Sequence, residues 1–489
     1  CDRLHTIDVE SKDAGKVNQF YGALYRASFL PHEMSDVNGD YPEFSTGTVK
    51  MGNATLSSKG YAVPAYSYLR KYGDFSMWDI YRAELPLYSL ITPKMSGEMM
   101  QSLVQMYKEG GWMPIFPCWN SYTAAMIGDH ASAALADAYV KGIRNFDAAK
   151  AYEGMRLNAF STPYLAKDYR DGKGRRAIKS YMDNGYIPLE DMVEEAFHTN
   201  EQTSRTLEYA YDDYAVAQMA KALHDSCQDA ALRQKYLEDY NDLMRRSENW
   251  RNVINPATGW ADGRYENGKW ENNEDLVHRK SYITEGATCH YTWYVPQNPE
   301  GLFEVIRNSK PMDKQEKQIE KTERKMEKKG ETPVRNEKVI ARLDKMFDNG
   351  WYWHGNEPCH QIAYLYDAAG APEKTQERVH HILQTEYNDT PGGLSGNDDA
   401  GQMSAWYVFS SIGFYPVCPG TPYYYIGTPS FDKVTLNLEN GRRFILSADR
   451  QHMDDYLIQS VTLNGKPLAD YRLSHQQILS GGELHFQMK

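Results

Sequence analysis

A change in the spacing of hydrophobic residues near Pro422 constrains the fold of this chain more than any other feature. Between about residues 14 and 420, bulky side chains recur three and four positions apart, as in 98–107, 134–140 and 214–220, which is typical of amphipathic helices. After residue 422, apolar and polar residues alternate, which is typical of strands. The sequence therefore predicts a mainly helical chain, with a helical body over 1–422 and a small β unit over 423–489.

The predicted helices alternate with long loops rich in Gly, Pro, Asn and Trp. One helix is predicted to end at Gly110-Gly111, and the aromatic loop 111–117 follows it. Such a repeat favours antiparallel helical hairpins that close into an (α/α)6 toroid, with the loops gathered around one cleft. The β unit has only about 65 residues, which is marginal for independent folding, so we expect it to pack on the toroid.

Charge and composition exclude several classes of function. Residues 310–338 are almost wholly Lys, Glu, Arg and Gln, and we predict a solvated helical hairpin or a mobile insertion there. Because Glu alternates with Lys in that segment and the net charge is −12, nucleic acid is not expected as a partner. No run reaches the roughly 18–20 apolar residues of a transmembrane helix. The 37 Tyr and 10 Trp fit either large cores or a sugar-binding groove, and composition leaves both open.

Four loop segments combine acidic and aromatic residues, namely 76–82, 282–286, 351–360 and 392–402. Each also has a structural explanation. Glu357 can open a helix before Pro358, Asn397 and Asp398 can form a turn, and Asp79 can form a surface ion pair three residues from its arginine. Four such segments at the loop end of one toroid favour a carbohydrate cleft instead.

The chemistry of glycoside cleavage requires this combination. One protonated carboxylic acid serves the leaving oxygen, and one ionised carboxylate activates water or attacks the anomeric carbon. Oxygen-only donors such as Asn356, Glu357 and Asp399 suit Ca²⁺ rather than Zn²⁺.

The order of several motifs resembles that of the bacterial α-mannosidases of glycoside hydrolase family 92. The runs that carry the resemblance are Trp78–Ala83, Leu207–Asp213, Tyr282–Gly286, His354–Pro358, Gly396–Tyr407 and Gly413–Gly420. The resemblance implies a Ca²⁺-dependent, inverting exo-α-mannosidase that acts on glycans of the N-glycan or mannan type. It also implies an (α/α)6 toroid joined to a β-sandwich, and a bacterial protein that is periplasmic, bound to the cell surface or secreted.

The resemblance assigns roles to individual residues by motif. Glu285 is similar to the family's general acid and Asp399 to its general base, with Asp398 as a further catalytic residue. Asn356 and Glu357 are similar to calcium ligands, joined by Asp399. The residues expected to bind the terminal mannose are Trp78, Asp79, Arg82, Trp353, His354 and Asn397.

Two departures from the family pattern bear on function. The stretch after Gly286 reads Ala-Thr-Cys-His where the family usually has Asn-Ala-Trp-Gln, which leaves the linkage specificity open. The family's N-terminal β-sandwich has no counterpart here, so we expect a fragment or processed form of a longer polypeptide that contacts the missing region. Two alternatives remain at this point, a metal-independent inverting (α/α)6 glycosidase and a non-catalytic glycan-binding protein.

Overall fold

A computed structural model describes most of the chain. The described residues are 4–36, 39–46, 48–50, 70–163, 165–193, 198–331, 333–452, 454–468 and 470–489. The α-helices are Ala14–Arg26, Met77–Ile80, Glu84–Ile91, Pro93–Gly110, His130–Val140, Ala148–Phe160, Ala166–Arg170, Ile178–Asn184, Gln202–Ser226, Ala230–Arg246, Thr288–Tyr291, Pro299–Asn308, Lys314–Glu327, Glu337–Asp348, Leu365–Ala368, Pro372–Thr385, Gln402–Ile412 and His475–Leu479.

Short 3-10 helices and strands complete the described part. The 3-10 helices are Leu4–Thr6, Asn249–Asn252, Glu357–Cys359, Ile362–Tyr364 and Asp399–Gly401. The strands are Ile7–Glu10, His32–Glu33, Tyr41–Pro42, Val49–Lys50, Tyr72–Gly73, Ile254–Asn255, Trp260–Ala261, Phe414–Tyr415, Tyr423–Ile426, Lys433–Asn437, Arg443–Asp449, Ile458–Leu463, Lys466–Pro467, Arg472–Ser474 and Gly482–Met488. The predicted class, mainly α with a C-terminal β unit, is confirmed.

Local sequence explains where the helices begin and end. Pro93 lies in the first turn of Pro93–Gly110, where the missing amide hydrogen costs nothing. Gly111 ends that helix with φ +85°, a left-handed conformation that glycine adopts without steric cost. The long helix Gln202–Ser226 packs against both His130–Val140 and Ala230–Arg246, and it is buried over most of its length. This helix therefore supplies much of the wall behind the loop end of the toroid.

A six-stranded sheet forms most of the C-terminal unit. Its strand order is Ile7–Glu10, Lys433–Asn437, Arg443–Asp449, Gly482–Met488, Ile458–Leu463 and Lys466–Pro467. Asn464-Gly465, a pair typical of hairpin turns, follows strand Ile458–Leu463, and both residues have positive φ values (51° and 75°). The first strand, however, comes from the N-terminal segment that the sequence assigned to the toroid. The division at residue 422 thus stays a prediction, with this strand crossing it.

A single hydrophobic core joins the sheet to two helices of the body. Phe20 on Ala14–Arg26 and Trp406 on Gln402–Ile412 belong to the same buried cluster as Leu436, Phe444 and Phe486 on the strands. Helix Gln402–Ile412 directly follows the loop that carries Asp399, so the β unit supports one side of the candidate site.

The charged segment 310–338 contains a helix that packs against the next one, in line with the helical hairpin, one of its two predicted alternatives. Helix Lys314–Glu327 packs against Glu337–Asp348, and the fully buried Glu316 forms an ion pair with the fully buried Arg342 (3.1 Å). Lys338, also fully buried, binds Glu320 (2.8 Å). A mobile insertion is therefore the wrong description of these residues, because buried ion pairs hold the segment on the body.

Among the described helices, none combines the length and the apolar character that crossing a membrane requires.

Candidate active site

The first element of the candidate site is the short helix Met77–Ile80, which carries Asp79. The Asp79 side chain is buried and accepts a hydrogen bond from the Ser76 hydroxyl. Burial, followed by the charges of Asp399 and Glu285, raises the pKa of Asp79 to about 8. Arg82 does not form a direct ion pair that would bring this pKa back down, since its Nε donates to the carbonyl of Trp78 (3.0 Å). The alternative of a surface ion pair between Asp79 and Arg82 is therefore wrong, because both side chains are buried.

The second element is the segment 354–360, where Asn356 and Glu357 are both buried. Asn356 Nδ2 donates a hydrogen bond to the carbonyl of Glu285 (3.1 Å), so this segment contacts the loop of the predicted general acid. Glu357 opens the 3-10 helix Glu357–Cys359, and its Oε1 has no hydrogen-bond partner. Burial and then the neighbouring Asp79 and Asp399 raise its pKa well above the ordinary value.

The third element is the loop 396–401, which has an unusual backbone. Asp399, Ala400 and Gly401 have successive φ values of 44°, 60° and 101°. A left-handed conformation costs a non-glycine residue roughly 1–2 kcal/mol, so surrounding contacts must hold it. At Gly401 an added Cβ would lie 3.0 Å from Cα of Ala27, which explains the glycine. Gln402 Oε1 accepts from the Ala83 amide (3.0 Å) and ties this loop to the Asp79 segment.

Glu285 also has a left-handed backbone, with φ 49°. Its side chain is half-buried, and desolvation raises its pKa, although the charges of His198 and Arg279 act in the opposite direction. The charge of Asp399 raises it further. Both predicted catalytic carboxylates therefore lie on strained residues, a feature that clusters at functional sites.

The three segments bring together Asp79, Glu357 and Asp399, each of which offers one carboxylate oxygen within 4.8 Å of the other two. Three carboxylates at this spacing repel one another unless a proton or a cation lies between them. The donors are oxygens only, Glu357 has an unpartnered buried oxygen, and Asn356 lies beside them. The residues present therefore fit a hard cation such as Ca²⁺.

The whole chain, residues 1–489, matches the glycosyl hydrolase family 92 catalytic domain. The chain belongs to glycoside hydrolase family 92. A family 92 α-mannosidase of Bacteroides thetaiotaomicron is 31% identical, with a TM-score of 0.81 over all of this chain and 57% of its own. A family 92 inverting mannosidase of the same organism is also 31% identical, with a TM-score of 0.81 over all of this chain and 61% of its own.

A curated relative is the uncharacterized secreted glycosidase of the fungus Arthroderma benhamiae, which is 29% identical over 83% of this chain. The chain spans 50% of the length of that relative, and less than two thirds of the two solved mannosidases. The predicted family is confirmed, and with it the (α/α)6 fold of the family 92 catalytic domain.

The predicted sugar-binding residues of this family 92 site differ in their exposure. Trp353 is 47% exposed, and Asn397 is exposed beside the Asp399 loop, so both can reach a ligand. Trp78 is buried, and its Nε1 donates to Glu208 (2.9 Å). Arg82 is buried as well, and its Nη atoms lack partners.

His354 is surrounded by tyrosine hydroxyls. It is buried, and its two ring nitrogens lie 2.7 Å and 2.6 Å from the hydroxyls of Tyr352 and Tyr387. These contacts suit a residue that positions the Asn356 segment, and the predicted contact of His354 with the sugar stays a prediction.

Asp398 contacts both the helix that follows it and the N-terminal helix. Its Oδ1 accepts from the Ser404 amide (2.9 Å), and its Oδ2 lies 3.8 Å from Nε of Arg26. These contacts hold the start of helix Gln402–Ile412 next to Asp399, and the catalytic role of Asp398 stays a prediction.

Sequence reasoning missed two features of the site. It placed Asp79 against the sugar, whereas the structure adds Asp79 to the carboxylate cluster; one sequence gives no signal for this, because the partners lie far along the chain. It also missed the buried network in which Glu208 accepts from Trp78 and Tyr291 and lies 3.3 Å from His130. The available signal for this network was the run 207–213, which places acidic residues within a helix of buried side chains.

Proposed function

We propose that this chain is the catalytic part of an inverting, calcium-dependent exo-α-mannosidase, which hydrolyses terminal α-mannosides of glycans of the N-glycan or mannan type. The observation that carries the proposal is the cluster of Asp79, Glu357 and Asp399, which contacts the Glu285 loop through Asn356. The titles of the two Bacteroides relatives, an α-mannosidase and an inverting mannosidase, support the choice of sugar and the stereochemistry.

Glu285 is proposed as the general acid. Its raised pKa keeps the carboxyl protonated closer to neutral pH, so that it can donate to the leaving glycosidic oxygen. The left-handed backbone, held by the hydrogen bond from Asn356 to its carbonyl, fixes the direction of that donation.

Asp399 is proposed as the general base that takes a proton from the attacking water. We expect its carboxyl group to lie about 6.5–9.5 Å from that of Glu285, because inversion needs room for a water molecule between the two groups. Gln402 and Asp398 hold the loop that aims Asp399.

Asn356, Glu357 and Asp399 are proposed as the calcium ligands, and Asp79 is positioned to join them. When bound, the cation would stabilise charge at the sugar and favour a distorted ring. Trp353 offers an exposed aromatic face, and Asn397 an exposed amide, for contacts with the glycan.

Two alternatives are less well supported. A metal-independent glycosidase would have no use for three carboxylates, two of them buried, within 4.8 Å of one another. A non-catalytic glycan-binding protein would not require strained backbones at both Glu285 and Asp399. The proposal extends to an exported bacterial enzyme, in keeping with the fungal relative named as secreted, and to contact with an N-terminal β-sandwich of a longer polypeptide.

The test is a panel of α-mannobiosides with 1,2, 1,3, 1,4 and 1,6 linkages, assayed with Ca²⁺ and with EDTA. We expect terminal mannose to be released only with Ca²⁺, and Glu357→Gln to abolish the response to calcium. The matched control is Glu304→Gln, which changes an exposed glutamate lining a cleft beside the charged segment 310–338. It should leave the response to calcium intact. Activity that survives EDTA favours the metal-independent alternative, and glycan binding without hydrolysis favours the binding protein.

A further inference from the structure

A small cavity lies beside Arg82 and Gln361. Four tyrosines, three prolines and Val417 complete its lining. The centre of a water-sized species can range over only about 10 Å³ there, so the cavity holds one small molecule or ion.

Two polar side chains of this cavity, Arg82 and Gln361, have hydrogen atoms that no described protein atom accepts. Nη1 and Nη2 of Arg82 and Nε2 of Gln361 are buried without a hydrogen-bond partner, and both side chains are more than nine-tenths buried. Tyr81 and Tyr294 bind each other through their hydroxyls, which uses one hydroxyl hydrogen and leaves the other available. A buried donor without an acceptor is costly, most of all on a charged group.

The nearby carboxylates do not satisfy Arg82. Glu208 directs its oxygens to Trp78, Tyr291 and His130, and Asp79 accepts from Ser76. The guanidinium carbon instead lies 4.8 Å and 5.4 Å from the ring centroids of Tyr81 and Tyr294. Such stacking leaves the in-plane N–H groups of Arg82 free to bind a ligand.

We propose that this cavity binds a monatomic anion, chloride, through Arg82 and Gln361. A water molecule would accept from Arg82 and Gln361 without compensating the buried guanidinium charge, whereas chloride compensates that charge. Phosphate and sulfate are too large for a cavity that admits a single water-sized species. Hydrogen bonds from a charged donor to an ion are among the stronger ones, which compensates for desolvating chloride.

The anion would join two segments that supply the carboxylate cluster. Arg82 lies three residues after Asp79, and Gln361 lies four residues after Glu357. A bound chloride therefore holds the helix turn of Asp79 against the segment of Glu357. It fixes the separation of these two carboxylates without contact to the sugar, and the inference stands whether or not the chain is a mannosidase.

The test is diffraction from crystals of the intact chain grown without chloride and soaked in bromide, which replaces chloride and gives an anomalous signal. We expect a bromide peak between Arg82 and Gln361. Gln361→Glu supplies a carboxylate that pairs with Arg82 and should abolish the peak. Gln361→Met, which removes the amide donors at similar size, should weaken it. Bromide elsewhere on the surface but none in this cavity would overturn the proposal.

Thermal unfolding supplies a readout that does not depend on activity. At constant ionic strength, replacing gluconate by about 150 mM chloride should raise the folding equilibrium constant about 16-fold for a Kd on the order of 10 mM. That factor corresponds to roughly 1–3 °C in Tm for a chain of this size. The rise should vanish in Gln361→Glu. It should persist in the control Gln218→Met, because the Gln218 amide contacts the Met244 sulfur. An equal rise in wild type and Gln361→Glu would contradict the site.

Discussion

At the scale of single residues, the site depends on carboxyl groups whose pKa is raised by burial. Desolvation raises the pKa of Glu285, Asp79 and Glu357. The charge of Asp399 raises all three pKa values further. The molecule can use these protons in two ways. Glu285 can give its proton to a leaving group, whereas Asp79 and Glu357 can exchange theirs for a cation.

The role of Glu285 predicts a dependence on the leaving group. Glu285→Gln should slow cleavage of a natural mannobioside by on the order of 10²–10⁴-fold, and that of an aryl mannoside with a good leaving group far less. Asp399→Asn should slow both substrates alike, because water must be activated whatever departs. The measurement is kcat/KM on both substrates, and an equal loss on both for Glu285→Gln would show that the acid is assigned wrongly.

The protonated cluster predicts that calcium binding releases protons. With a pKa of about 8, Asp79 is mostly protonated at pH 7, and it must ionise to bind the cation. Calcium affinity should therefore rise with pH from about 6 to 8. Calorimetry in buffers of different ionisation enthalpy measures the released protons, and Asp79→Asn should reduce them by about one at pH 7.

The raised pKa of Asp79 also affects stability. Without calcium, Asp79 holds a proton in the native chain that it lacks in the unfolded chain between about pH 4 and pH 8, so its contribution to stability falls as pH rises through this range. Calcium should remove most of that slope. The control is Asp344→Asn, which changes a carboxylate that pairs with Lys374. It should leave both effects unchanged. No proton release in the wild-type protein would contradict the protonated cluster.

The identities of Glu285, Asn356, Glu357 and Asp399 as site residues could be proposed from sequence, because each lies in a short motif with its own resemblance. Their detailed roles were harder to predict. Whether His354 binds sugar or the hydroxyls of Tyr352 and Tyr387, and whether Asp398 reacts or holds Ser404, depends on how these groups come together in space. A single sequence does not encode such partners in any local pattern.

At the scale of elements, periodic spacing predicted individual helices and strands well. It could not predict which strands and side chains pair with one another. The alternation after residue 422 predicted strands, and Lys433–Asn437 and Ile458–Leu463 are among those found there. Strand Ile7–Glu10 was missed because four residues carry little periodic signal, and its partner Lys433–Asn437 lies more than 400 residues away. For the charged segment, the sequence left a helical hairpin and a mobile insertion open, because composition cannot show that Glu316 meets Arg342 in the interior.

The buried pair in that segment predicts an asymmetric cost. Glu316→Ala leaves the Arg342 guanidinium buried without its carboxylate and should reduce the free energy of unfolding by about 3–5 kcal/mol. Replacing both residues with apolar side chains of similar volume should cost much less. Urea unfolding measures both, with the exposed Lys317→Ala as control, expected within about 0.5 kcal/mol of wild type. A loss below about 1 kcal/mol for Glu316→Ala would show that the pair is not buried in solution.

At the scale of the whole molecule, the β unit and the toroid share one core. Trp406 and Phe409 on helix Gln402–Ile412 pack in the same cluster as the strand residues Leu446 and Leu484. The sheet therefore contributes to the position of the Asp399 loop, although none of its strands carries a proposed catalytic residue.

The shared core predicts that residues 423–489 do not fold alone. The fragment lacks strand Ile7–Glu10 and the helices that cover its apolar face, and a unit of roughly 65 residues is marginal even with an intact core. Far-UV circular dichroism and a two-dimensional amide NMR spectrum should show an unfolded chain. A well-dispersed spectrum would indicate an independent domain that begins at residue 423.

The most direct test of the proposed function is the anomeric form of the first product. Proton NMR during hydrolysis of an α-mannobioside, with Ca²⁺ present, distinguishes the two anomers before they equilibrate. Because water activated by Asp399 attacks the face opposite the bond that Glu285 protonates, β-mannose should appear first and α-mannose only later by mutarotation. Initial release of α-mannose would contradict the arrangement of Glu285 and Asp399 as acid and base.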